Sequence, residues 1–178
     1  SDAYLQASLY AYKLEPSADA AIGCAAMAFK KGDIDGSVKF FDEAISYETD
    51  NVKKAESAYK AASVLASAKK ISQARSYAQK AISFNENYGA PYILIAQLYA
   101  GNYKWNDEPA LNKCTFFAAI DKLQRAKAVD PSVAEEANKL ISSYSAYTPE
   151  AKDLFMLGYK AGDRITIGGW IGETTTIR

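Results

Sequence analysis

Histidine is missing altogether from these 178 residues, and there are only two cysteines, Cys24 and Cys114. Without an imidazole the chain has no side chain that titrates unperturbed near neutrality, and so no ready base to activate a serine or cysteine nucleophile. No Cys-x-x-Cys pair or Cys/His spacing is present to hold zinc. The two thiols read as small buried hydrophobes, and spacing alone does not decide whether they pair. A surplus of either charge is missing too, since 21 acidic residues balance 21 basic ones. A nucleic-acid surface needs a basic excess to displace counterions from phosphates, so that class of partner is excluded. No apolar run approaches 18 residues, so no membrane span is expected. Gly168-Gly169 stands inside an expected hairpin, not between a strand and a helix, and makes no phosphate loop. The carboxylate pairs Asp42-Glu43 and Glu135-Glu136 fall on expected helices, where adjacent side chains diverge, and read as solvated faces. No catalytic residue, cofactor or metal ligand is assigned.

Helical periodicity is what the chain has in abundance. Leu5, Leu9 and Tyr12 form a stripe over Ser1 to Leu14, which Glu15-Pro16 ends. Ala21, Ile22, Ala25, Ala28 and Phe29 mark a helix over Ala18 to Lys31, broken by Gly32-Asp33. Val38, Phe41, Ala44 and Ile45 mark Asp35 to Tyr47, and Ala55, Ala58, Ala62 and Leu65 mark Val52 to Ala68. Ser72 is expected to cap the next helix, which Asn85 ends. Pro91 suits the first turn of a helix reaching Ala100, and Pro109 opens one reaching Val129. Ser132 with Glu135 has the capping-box spacing before a helix reaching Tyr144, and Pro149 starts a short ninth helix. From Asp163 the period changes: Arg164 to Ile167 alternates, and Glu173 to Arg178 is rich in threonine, a β-hairpin pattern.

The helix ends repeat. Ala11, Ala44, Ala81 and Ala126 each stand near the close of a helix, at spacings of 33, 37 and 45 residues. Within one unit Tyr92, Ile95, Ala96 and Tyr99 on a first helix are followed by Ala119, Leu123, Ala126 and Pro131 on a second. Ala21, Cys24, Ala25 and Ala28, then Ser37, Phe41 and Ala44, take the same places in an earlier unit. Ala58, Ala61, Ala62 and Leu65, then Ala74, Ala78 and Ala81, take them in the middle one. This pattern resembles the tetratricopeptide repeat. The resemblance implies an all-α superhelix of helix–turn–helix units, about nine helices here, with the hairpin as a C-terminal addition. Residues 17–50, 51–88 and 89–131 are then three repeats, the last interrupted over 100–113, and 132–178 are capping helices and hairpin. Residues 1–16 read as the second helix of a preceding repeat, whose exposed end could also serve self-association.

The resemblance also implies a function: non-catalytic binding of a protein or peptide in a groove lined by the first helices. Its ligand-facing positions fall on Ile22, Phe29 and Lys30, on Tyr59 and Ser63, and on Ile93 and Gln97. The lysine and asparagine set that clamps a chain-terminal carboxylate in this family is absent. The lining is apolar and aromatic, suited to an amphipathic helix or extended peptide, unless neighbouring helices already fill it. The inserted loop adds Tyr103, Trp105 and Asp107. They read either as a recognition tip or as an aromatic plug, and a carbohydrate or small-molecule site on the two rings is an alternative. A structural role, as the cap or assembly surface of a larger protein, is a further one. The segment from Tyr147-Thr148-Pro149 to the final GGWIGETTTIR is similar to the close of a group of bacterial tetratricopeptide-repeat proteins, many of them exported, which favours a periplasmic location.

Overall fold

The computed structural model describes residues 1–178. All nine helical segments are present, the seventh divided at Cys114, and the chain forms two compact units, Ser1–Pro91 and Tyr92–Arg178.

The first unit holds α1 (Asp2–Leu14), α2 (Ala18–Lys30), α3 (Ile34–Tyr47), α4 (Asn51–Ser67) and α5 (Ile71–Phe84), each packed on the next. Small side chains make that packing close. Ala21, Ala25, Ala44, Ala58, Ala61, Ala74, Ala78 and Ala81 are all completely buried. Ala25 meets Phe41, Ala61 and Val64, which joins α2, α3 and α4 in one cluster. Ser37 takes an alanine's place at the α2–α3 contact and is also fully buried. Its hydroxyl donates to the Ala25 carbonyl at 2.8 Å, so no polar group is orphaned there.

The turns inside the first two helix pairs share one design. After α2, the Asp33 N–H donates to the Ala28 carbonyl and Gly32 N–H to Phe29. After α4, Lys70 N–H donates to Leu65 and Lys69 N–H to Ala66. Both are Schellman closures, which need a left-handed residue just past the helix. Gly32 supplies it at φ 82°, but in the second turn Lys69 must adopt φ 58°. That closure leads straight into α5 from Ile71, with Lys70 at the cap position and no side-chain cap. Ser72 is therefore inside the helix and does not cap it.

Asp42 and Glu43 are not free solvated carboxylates. The Tyr77 hydroxyl of α5 donates to Asp42 at 2.9 and 2.8 Å, and the Tyr12 hydroxyl of α1 donates to Glu43 at 3.0 Å. Adjacent side chains on α3 diverge, so Glu43 reaches back to α1 and Asp42 forward to α5.

The second unit contains α6 (Ala90–Gly101), α7 (Pro109–Lys113), α8 (Thr115–Val129), a 3-10 turn (Pro131–Val133), α9 (Ala134–Ser145), α10 (Ala151–Met156), β1 (Arg164–Thr166) and β2 (Thr174–Thr176). Ser132 does not cap α9. The Asp130 carboxylate accepts from Ser132 N–H and hydroxyl and holds a 3-10 turn in which that serine is enclosed. The strands are antiparallel, with Ile165 opposite Thr175. The hairpin docks on α8, two helices back from the end. Thr175 donates to Asp121 at 2.6 Å, Arg178 also pairs with Asp121, and Lys122 meets Glu173 at 2.6 Å. Ile165, Ile167, Ile171 and Ile177 are buried.

Two outcomes follow from the turns and the tyrosine bonds. Lys69→Gly removes the side-chain penalty of the left-handed conformation and is expected to stabilise the protein by about 1 kcal/mol in urea titration; a loss would contradict the strain. The Tyr77 phenol is pushed up to about 12, first by burial and then by the Asp42 bond. An unfolded tyrosine ionises near pH 10. The stabilisation is thus complete below about pH 10 and is lost as pH rises towards the folded value. Tyr77→Phe should cost about 1 kcal/mol at neutral pH and flatten the fall of stability over that alkaline window.

Candidate functional site

The expected first-helix lining divides between surface and core. On α2, Phe29 is 42% exposed and Lys30 beside it is exposed, whereas Ile22 is half-buried against two core clusters. On α4, Tyr59 is half-buried against Ile45, Ala58 and Ala81 and meets Tyr88 edge-on at 5.5 Å. Ser63, also half-buried, donates its hydroxyl to the Tyr59 carbonyl at 3.0 Å. In the second unit Gln97 is exposed, but Ile93 is 4% exposed. Ile93 is therefore a core residue in this structure and offers no surface to a ligand. The cause is local composition: Tyr92, Ile93, Ile95, Ala96, Leu98 and Tyr99 are all buried, so the apolar surface of this helix spreads well beyond one stripe and only the side of Gln97 stays exposed.

The inserted segment is organised by Asn112, a residue that sequence reasoning passed over. Its Oδ1 accepts from the N–H groups of Trp105 at 2.8 Å and Asn106 at 2.7 Å, and its amide donates back to the Asn106 carbonyl at 2.6 Å. The Trp105 indole N–H reaches the Leu111 carbonyl at 3.2 Å. One face of that indole lies against the hairpin turn, where a Cβ on Gly168 would fall 2.7 Å from the ring. Tyr103 tilts over Phe116 at 5.2 Å, and its carbonyl accepts from the Thr115 hydroxyl at 2.8 Å. Trp170 of the hairpin turn reaches the opposite way, edge-on to Tyr99 at 5.5 Å with its N–H on the Asn102 carbonyl. Of the three loop residues expected to meet a partner, Tyr103 and Trp105 are turned into the unit and Asp107 is exposed.

Hollows lie elsewhere too, two of them lined by helices near the chain ends. One, about 650 Å³, opens between α1 and α2 over Tyr4, Ser8, Ala11, Ala20, Gly23 and Met27. The other, about 440 Å³ and mostly apolar, lies between α10 and the chain end over Leu154, Phe155, Met156, Tyr159 and Ile177. Phe155 and Met156 at its rim are 74% and 84% exposed. Neither hollow holds an activated nucleophile. Cys24 and Cys114 are free and buried, and burial pushes both thiols up, Cys114 to about 11. They are thiols at neutral pH, not the thiolates that nucleophilic chemistry uses. No three histidine, cysteine or carboxylate side chains converge as a metal site would require.

No protein-family model matches the chain, and no curated protein matches it in sequence. Solved structures do. The TPR2B domain of yeast Sti1, in its complex with pHsp70, superposes with a TM-score of 0.57 at 22% identity, covering 72% of this chain and 96% of that one. The first TPR of Spaghetti (RPAP3), bound to the HSP90 peptide SRMEEVD, gives 0.54 at 17% identity over 72% and 93%. MamA gives 0.56 at 16% identity over 87% and 86%. At such identities the likeness is one of fold. The chain has the all-α tetratricopeptide-repeat fold, with a small antiparallel hairpin at its C-terminus.

Asn112→Ala strips the inserted segment of its central acceptor and leaves two backbone N–H groups unpaired. It is expected to cost about 2–3 kcal/mol and to shift tryptophan emission to the red as Trp105 loosens. Unchanged stability and emission would show that the loop is held by something else.

Proposed function

We propose that this chain is a non-catalytic scaffold that binds a segment of another protein on the α2–α4 face of its first unit. Phe29 carries the reading. It is a large apolar side chain left 42% exposed, and exposed Ala26 and Lys30 flank it. Scattered apolar exposure is ordinary, but here it falls on the first-helix face where the repeat resemblance puts a ligand. Two of the solved structures that share the fold are complexes, one with pHsp70 and one with an HSP90 peptide. The ligand class differs here. The α2 positions Asp19, Ile22, Ala26, Phe29 and Lys30 present a single lysine and no asparagine, so an acidic chain terminus would find half a clamp at most. An apolar side chain against Phe29, with an acidic neighbour for Lys30, is the better fit, as an amphipathic helix or extended peptide supplies.

The carbohydrate alternative has less support. Sugar stacking uses an open aromatic face, and Trp105 already lays one face on Gly168 while Tyr103 covers Phe116. The contacts of both rings favour the plug, although a hollow of about 410 Å³ is lined by Trp105 with Lys104, Asn106 and Asp107.

A photo-crosslinking side chain at position 29 should capture a partner that the same group at exposed Lys39 on α3 does not. Phe29→Ala should leave the urea midpoint within about 0.5 kcal/mol of the parent and abolish that capture. Tyr59→Ala, in the core cluster, should instead cost about 2–3 kcal/mol. Equal capture at positions 29 and 39, or a partner retained by folded Phe29→Ala, would contradict the site.

A further inference from the structure

We propose that the hollow beside α10 is a binding site for a single-chain aliphatic carboxylate, with the alkyl chain laid along α10 and the carboxylate on Lys160. The site lies in the second unit and is independent of the α2–α4 face. Its walls, its lining and the charge around it each point that way.

The hollow is shaped by backbone hydrogen bonds. α10 ends in a Schellman closure, where Tyr159 N–H donates to the Leu154 carbonyl at 2.9 Å and Gly158 N–H to that of Phe155 at 3.0 Å. Gly158, at φ 90°, supplies the left-handed residue that turns the chain back. Residues 159–161 then form a second wall beside α10. A turn closed on Asp163 holds that wall. The Asp163 carboxylate accepts from Lys160 N–H at 3.0 Å, and Asp163 N–H donates to the Lys160 carbonyl at 3.1 Å. Gly162 N–H donates to the Ile177 carbonyl and Ile177 N–H to that of Asp163, both at 2.8 Å, which ties the turn to the end of the hairpin. Leu154 and Ile177, 1% and 2% exposed, form the floor.

The lining suits an alkyl chain. Ala151, Leu154, Phe155, Met156, Tyr159 and Ile177 give almost wholly apolar walls, and the volume of about 440 Å³ is that of a small-molecule site. Phe155 and Met156 stand exposed at the rim. A chain lying between them and the floor would withdraw their apolar area from water, and methionine is flexible enough to close over it. The charge is one-sided. Lys152, Lys160 and Arg178 line the hollow, and no acidic residue does. Lys152 lies 3.4 Å from Glu150 and Arg178 pairs with Asp121, so two of the three cations are already engaged. Lys160 is in no ion pair. Its stem can lie on the apolar wall with the ammonium at the rim, open to a carboxylate. An uncharged tail would leave that cation unused, and an acid without a tail would leave the walls wet. A ligand that satisfies both joins an alkyl chain to one anionic head.

Isothermal titration with decanoate should show one site per chain, about fivefold tighter than for 1-decanol, which has no charge, and far tighter than for butyrate, whose chain is too short to fill the hollow. Lys160→Gln should bring decanoate down to the level of 1-decanol, and Phe155→Ser should weaken both. Lys39→Gln on α3 should change neither. All three side chains are exposed, so the variants are expected to keep the urea midpoint of the parent. The second reading needs no variant. The chain has two methionines, Met27 and Met156. In NMR of methionine-methyl-labelled protein, decanoate should shift the Met156 signal and leave that of Met27, in the first unit, where it was. An unmoved Met156 signal, or a decanoate affinity unchanged by Lys160→Gln, would overturn the proposal. Binding to phosphatidylglycerol vesicles with none to monomeric decanoate would assign the face to a membrane surface, and would overturn it as well.

Discussion

Close approach of helices through alanine is the constraint on which the first unit depends. Every consecutive pair from α2 to α5 meets through fully buried small side chains, among them Ala25, Ala44, Ala61 and Ala78, with Ser37 in an alanine's place. Little apolar area is buried per residue in such contacts, so stability has to come from density and not from bulk. Among the larger groups, Phe41 and Val64 sit between three helices, and Tyr12 and Tyr77 reach to carboxylates of α3. Phe29, a first-helix side chain with no place in this scheme, is left exposed.

The second unit solves a different problem. Its repeat is interrupted, so two helices that a short turn would join are separated by an irregular segment with its own polar backbone. Buried backbone groups need partners, and Asn112 provides them from one side chain with an acceptor and a donor. The segment then gains its apolar contacts from the hairpin: Trp105 on Gly168, and Trp170 on Tyr99. A two-stranded hairpin is marginal by itself. Here each irregular piece supplies what the other lacks, and Asp121 and Lys122 of α8 fix the hairpin's remaining edge.

Features governed by long periodic stripes were legible in the sequence. The helical segments, their register on Ala44 and Ala81, the close-packing role of Ser37 and the hairpin all follow from period and residue size. What escaped was set by a few polar atoms. Ser72 and Ser132 have the composition of caps, but the turn before each had already been closed, by Lys69 and by Asp130. Asn112 looks like any helix asparagine until the loop folds over it. Ile93 was placed on the ligand side by analogy with other first helices. In α6 the buried apolar residues spread beyond one stripe and leave only the side of Gln97 exposed, and analogy of position gives no warning of that. Tyr103 and Trp105 carried two readings because an aromatic in a loop has the same composition whether it faces a ligand or a neighbouring glycine.

The account stands on the size of the contact residues, and adjacent alanines on α2 test it directly. Ala25 is completely buried between α2, α3 and α4, whereas Ala26 is exposed. Urea unfolding of Ala25→Leu and Ala26→Leu compares the same added volume on two sides of one helix. Overpacking a closed contact costs about 1–3 kcal/mol, so Ala25→Leu should lose at least that much while Ala26→Leu stays within about 0.5 kcal/mol of the parent. Equal losses, or an Ala25→Leu variant as stable as the parent, would mean that helix approach in this protein is not limited by its alanines.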